Sequence, residues 1–156
     1  MRKSTIRTRS AAFLMALWLG GCAMNASAQS PAKTSTSTLY KRLGGYDAIA
    51  AVTDDFVTRL AGDQQLNRFL VGLSSDSQKK LRQHVVDQFC EATGGPCIYT
   101  GRAMKTSHAG LGITESDWQR TVGHLVATLD KFKVPDAEKA ELLAIASSLK
   151  SDIVEK

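Results

Sequence analysis

The feature that most restricts what this chain can fold into is the spacing of apolar residues between Trp118 and Phe132. Trp118, Val122, Leu125, Val126, Leu129 and Phe132 recur at steps of three and four, which lines them along one side of an α-helix and would scatter them over both faces of a strand. Thr114-Glu115-Ser116-Asp117 stands just before them, a capping hydroxyl followed by acidic residues suited to a first helical turn. Ile49, Val52, Thr53, Phe56, Val57 and Leu60 repeat the pattern after Gly44-Gly45. Leu66, Phe69 and Leu70 predict a short helical turn before Gly72. Leu81, Val85, Phe89 and Ala92 mark the expected inner face of the next helix, capped from the Ser74-Ser75-Asp76-Ser77 cluster, with Lys79, Lys80 and Arg82 outward. Pro135 suits a first helical turn, and Glu138, Leu142, Ile145, Ala146, Leu149 and Ile153 share one side of a last helix. Strand-like alternation and internal repeats are both missing from the sequence. The predicted fold class is all-α.

Between the second and third of these long helices lies a stretch of another kind, Gly94-Gly95-Pro96-Cys97-Ile98-Tyr99-Thr100-Gly101, followed by Arg102-Ala103-Met104-Lys105-Thr106-Ser107-His108. The glycines and proline stop the preceding helix. About two turns of helix are expected from Arg102, with Met104 and His108 four apart on one face. A histidine beside a sulfur-bearing apolar residue, just after a flexible loop, suits iron ligation from inside an apolar pocket. His108 is therefore read as the iron ligand, with the other helices wrapped around a haem.

The N-terminus carries a different message. Arg2, Lys3, Arg7 and Arg9 precede a short apolar run from Ala11 to Gly21, too short to span a bilayer but suited to a secretory signal. Leu19-Gly20-Gly21-Cys22 resembles a bacterial lipobox, with Cys22 the lipidation candidate and a lipid anchor in the membrane as the consequence. Ala26-Ser27-Ala28 offers the alternative of a soluble periplasmic product. Residues 1–22 are thus read as a signal peptide with lipobox, 23–38 as a flexible Ser/Thr/Ala-rich tether, and 39–156 as one domain. Setting the four signal cations aside lowers the basic residues from 20 to 16, against 15 acidic. The near-neutral remainder gives nucleic-acid binding no support.

Taken together, these motifs resemble the group I truncated haemoglobins, small two-over-two globins. The similarity runs from Leu39-Tyr40-Lys41-Arg42-Leu43-Gly44-Gly45 to about Leu149. It includes Gly94-Gly95, Tyr99-Thr100-Gly101, Met104-Lys105-Thr106-Ser107-His108-Ala109-Gly110, Gly123-His124-Leu125 and Val134-Pro135. The resemblance implies that His108 is the proximal ligand of haem b, its second nitrogen oriented by an acceptor. It implies that Phe56, Phe69, Leu70, Phe89, Ile113 and Val122 pack on the porphyrin, and that Tyr99, Arg102 and Lys105 reach the propionates. His124 is expected to be structural or solvent-facing. Gln88 and Thr121 are further polar residues near the site, expected mainly at the edge of the core.

On the distal side this sequence departs from the family pattern. Val57 stands where the helix carries a ligand-binding tyrosine, and Leu81 and Val85 occupy the distal positions of the next helix, the second often glutamine. A bound dioxygen carries partial negative charge and is held by hydrogen-bond donors, which an aliphatic lining lacks. Such a pocket suits carbon monoxide or nitric oxide better than tightly held oxygen. His84 matches a position where some relatives carry a sixth iron ligand; the alternative is contact with a propionate or water.

Cys90 and Cys97 remain. In an exported, oxidising compartment they are disulfide candidates, provided that their Cα atoms lie within about 7 Å. No Cys-x-x-Cys-His is present, so covalent c-type attachment is not indicated. The expected function is an exported haem protein that binds diatomic gas. The alternatives are a nitric oxide dioxygenase served by an unidentified reductase, or a hexacoordinate electron-transfer protein.

Overall fold

The computed structural model describes residues 37–156; the segment read as a signal peptide, Cys22 and nearly all of the segment read as a tether lie outside the described residues. Seven α-helices and one 3₁₀ turn occur among them, and no strand. They are α1 (Leu39–Arg42), α2 (Gly45–Gly62), the 3₁₀ turn Asn67–Phe69, α3 (Ser75–Ala92), α4 (Met104–His108), α5 (Glu115–Lys131), α6 (Asp136–Ser148) and α7 (Lys150–Ile153). The all-α expectation holds. Thr38, which the sequence placed at the end of the tether, instead accepts a hydrogen bond from the Lys41 amide and caps α1.

The helices pack as two layers, α2 with α3 and α5 with α6, joined through contacts between α2 and α5. Helix α2 serves two cores because its apolar residues cover more than one side. Val52 and Phe56 pack with Leu39, Leu125, Leu129 and Leu142, while Ile49 packs with Val86 and Cys90 of α3. Leu129, Val86 and Cys90 are fully buried; truncating a leucine in such a place costs about 2–5 kcal/mol.

The long helices start where the sequence indicated. Ser74 accepts from the Ser77 amide ahead of α3. Thr114 and Asp117 form a reciprocal capping box ahead of α5, each side chain taking the other's backbone N–H. Helix α5 ends in a Schellman turn, with Val134 N–H donating to the Leu129 carbonyl, Lys133 N–H to Asp130, and Lys133 at φ +55°.

Four local readings need correction. Helix α4 has only five residues, because Ala103 is extended at φ −52° and ψ 146° and Arg102 lies before it. The fully buried residues of α3 are Val86 and Cys90; Leu81, Val85 and Phe89 are half-buried and Ala92 is exposed. Pro135 caps α6 from outside rather than occupying its first turn. The last helix breaks at Leu149 into α6 and α7.

Cys90, at the end of α3, is bonded to Cys97 in the loop before α4, with Cα atoms 5.7 Å apart. Between them Gly95 has no room for a side chain. A Cβ there would lie 2.5 Å from the Tyr40 ring and 2.7 Å from both the Cys90 carbonyl and its sulfur.

Candidate functional site

Helix α4 is too short to be stable alone, so its histidine depends on what flanks it. His108 is the last residue of α4 and half-buried. Its Nδ1 lies 2.8 Å from the Met104 carbonyl oxygen. A carbonyl can only accept, so Nδ1 carries the proton and Nε2 keeps its lone pair for a metal. The i, i+4 spacing read from the sequence thus makes Met104 the orienting partner, through its backbone rather than its sulfur.

Val57 and Ala61 of α2, Leu70, Val71 and Leu73 after the 3₁₀ turn, and Leu81 of α3 line a cavity of about 380 Å³. Its polar lining side chains are Asn67 and Gln78. Val57, Leu70 and Leu81 were singled out from sequence, and the fold brings them to one wall. His84, farther along α3, has a buried Nδ1 with no hydrogen-bond partner. Its ring meets that of Tyr99 edge to face at 5.9 Å. The Tyr99 hydroxyl donates to the Arg102 carbonyl at 2.8 Å, and burial raises the phenol above its ordinary value against the pull of Arg102.

The remaining positions divide. Phe56 belongs to the main core, and Phe89 touches both clusters. Ile113 is buried, and Val85, Val122 and Gln88 are half-buried. Phe69 lies beneath the Arg68 guanidinium, 4.3 Å from its ring centre. Arg102, just before α4, and Lys105, within it, are exposed. Thr121 Oγ1 donates to the Asp117 carbonyl, and His124 Nε2–H donates to Asp63 at 2.8 Å.

Sequence reasoning missed the carboxylates that brace this end of the molecule. Asp63 is held well below the usual carboxylate range, chiefly by His124 and, against burial, by Arg120 and the Gln65 and Leu66 amides. Burial pushes Asp117 up, but hydrogen bonds from Gln65, Thr114 and Arg68 outweigh it and leave it equally low. Asp117 was visible as a helix cap; nothing local marked Asp63.

Among the described residues no three His, Cys, Asp or Glu side chains converge as a metal site. The oriented imidazole of His108, the unpartnered buried nitrogen of His84 and a largely apolar cavity elsewhere in the fold fit a metal that brings ligands of its own. That is the donor set of a haem-binding helical protein.

The relatives of this chain have the same character. The bacterial-like globin family matches residues 38–155. The Group 1 truncated hemoglobin GlbN of Mycolicibacterium paratuberculosis is 34% identical over 121 residues, covering 78% of this chain and 87% of that protein. The 2/2 hemoglobin of Synechococcus, solved in the cyanomet state with covalently attached heme, superposes with a TM-score of 0.69 at 27% identity. That match covers 77% of this chain and all of the other. A variant of the truncated hemoglobin of Tetrahymena pyriformis in its Fe(III) form superposes at 0.70 with 25% identity, over the same shares. The chain belongs to the bacterial-like globins, as a group 1 truncated haemoglobin with the two-over-two fold, a family that binds haem and diatomic gases.

Proposed function

We propose that this chain is an exported haem protein that holds haem b through His108 Nε2 and binds a diatomic gas beside an apolar distal wall. The observation that carries the reading is the 2.8 Å contact between His108 Nδ1 and the Met104 carbonyl, which fixes the tautomer a proximal ligand needs. When bound, the haem would supply an iron able to take up a gas. Val57, Leu70 and Leu81 would donate no hydrogen bond there, and of the polar lining side chains Asn67 and Gln78 the second already donates to the Leu73 carbonyl, which favours weakly polar ligands over dioxygen. Exposed Arg102, just before α4, and Lys105, within it, would pair with the haem carboxylates. Export rests on the N-terminal signal and Cys22, and the Cys90–Cys97 bond is of the kind an oxidising compartment sustains.

The test is His108→Ala in the full chain. Haem affinity is expected to fall at least about tenfold, with changed axial ligation in the ferrous absorption spectrum. An unaltered spectrum and affinity would sink the reading. The unpartnered His84 Nδ1 favours a second reading, in which His84 is a sixth ligand and the protein moves electrons. Low-spin ferrous bands that disappear in His84→Ala would support it; a wild-type ferrous spectrum that is already high-spin would rule it out.

A further inference from the structure

Helix α4 is held from both sides, and the side after His108 is built from the far end of the chain. Gly110 and Gly112, with φ of +81° and +66°, turn their amides toward one carboxylate. Gly110 N–H donates to Glu155 Oε1 at 2.6 Å, and Gly112 N–H donates to Oε2 at 2.5 Å. Both oxygens are used, on two turned amides that flank Leu111, so that one anion is held by backbone donors of a single loop. A Cβ on Gly110 would meet nothing within 4 Å. Glycine is required there by the backbone conformation that aims the amide, not by crowding.

The tail bearing Glu155 is docked by other bonds as well. Glu155 N–H donates to the Ile113 carbonyl at 2.9 Å, and Glu115 N–H donates to the Lys156 carbonyl at 3.0 Å. Lys150 Nζ donates to Glu115 Oε1 at 2.9 Å. Those contacts tie the tail to the start of α5. Helix α7 packs directly on α4, and the side chain of Glu155 adds a polar hold on the loop that follows His108. Only Ala109 separates His108 from the clamped Gly110, and Leu111 N–H, between the two clamped amides, donates to the His108 carbonyl at 3.2 Å. A shift of the loop is therefore passed to the ring.

We propose that Glu155 is a positioning residue for the proximal histidine: its carboxylate clamps the amides of Gly110 and Gly112 and so fixes the tilt and reach of His108. The proposal rests on His108 being the iron ligand. The chain supplies that imidazole on a five-residue helix that packs on α7, and on its trailing flank the loop is held by a charged group just beyond the end of α7. A tail that merely closed the bundle would need the backbone contacts and the Lys150–Glu115 pair, but not both oxygens of Glu155 on this loop.

The experiment compares the full-length, haem-loaded ferrous protein with Glu155→Ala, Glu155→Gln and Lys150→Ala. The readouts are the iron–imidazole stretching band in resonance Raman spectra and the rate of haem loss to an excess of a haem scavenger. Glu155→Ala is expected to shift or broaden the band and to speed haem loss roughly fivefold, the order of one hydrogen-bonding interaction. Glu155→Gln, which keeps one acceptor oxygen, should fall between wild type and alanine, and it carries the test if the alanine variant does not fold. Lys150→Ala loosens the tail without touching the clamp and should leave the band in place. An unchanged band and haem-loss rate in the Glu155 variants would overturn the clamp, as would an equal shift in Lys150→Ala. A wild-type protein with no iron–imidazole band would instead overturn the assignment of His108, and the clamp with it.

Discussion

The two ends of the segment that carries His108 are secured by opposite means. At its entrance the restraint is covalent and buried: Cys90 is fully enclosed and bonded to Cys97, and Gly95 is wedged between Tyr40 and the Cys90 carbonyl. At its exit the restraint is polar and exposed, a carboxylate 45 residues away in sequence gripping two amides. The first kind of fastening lowers the entropy of the unfolded chain and is indifferent to pH and salt. The second acts only in the folded state and answers to protonation. A short helix fixed at one end and gripped at the other can hold its histidine firmly and still let it adjust.

Breaking the entrance should have the largest effect. Removing the bridge with Cys90→Ser and Cys97→Ser together is expected to cost about 2–3 kcal/mol, the loop-closure entropy of so short a ring. Urea denaturation of the full chain measures it. A loss as small as that of an exposed surface substitution would mean that packing around Gly95, and not the bond, holds the entrance.

The glycines sharpen the same contrast with a smaller effect. Gly95→Ala drives a Cβ into a ring, a carbonyl and a sulfur and should cost about 1–3 kcal/mol as overpacking. Gly110→Ala meets open space but sits at φ +81°, so its cost is conformational, about 1 kcal/mol. Gly110→Asn should recover part of that, because asparagine tolerates the left-handed region, whereas Gly95→Asn should be worse than Gly95→Ala. Thermal unfolding of the four variants decides it, and equal behaviour at the two sites would remove the distinction.

How much of this was legible in the sequence follows the same division. The entrance could be read, since Gly94-Gly95-Pro96 and two cysteines seven residues apart are local signals. So could the short helix that carries His108, the capping hydroxyls of Ser74 and Thr114, and the helical stripes, whose period is local by nature. The inner face of α3 was misread because that helix has two apolar sides. Val86 and Cys90 face α2, while Leu81 lines the cavity, and periodicity cannot say which side meets the core. Helix α4 came out shorter than expected because Tyr99 takes the Arg102 carbonyl and Ala103 is extended. The exit was invisible: Gly110 and Gly112 announce a turn, but nothing near them names Glu155 as the partner.

The smallest effect is expected from pH, and it should separate the two ends without any substitution. Hydrogen bonds from the Gly110 and Gly112 amides, aided by Lys156, hold the Glu155 carboxyl below its ordinary value of 4.5 against partial desolvation. Lys150 and Gln119 do the same for Glu115. A carboxyl that is more acidic when folded contributes its stabilisation fully above its unfolded value and loses it as the pH falls through the folded one. The exit should therefore loosen as the pH falls below the ordinary value of 4.5 and through the lower folded one. Asp63, Asp117 and Asp55 are held lower still, so the body of the fold should outlast the clamp on acidification. Amide exchange, corrected for its own pH dependence, should then quicken at Gly110 and Gly112 while Gly94 and Gly95, whose amides donate to the Glu91 and Cys90 carbonyls, keep their protection. Simultaneous loss at all four amides would show that the exit has no stability of its own, and that the carboxylate is an ornament on a loop held by the rest of the fold.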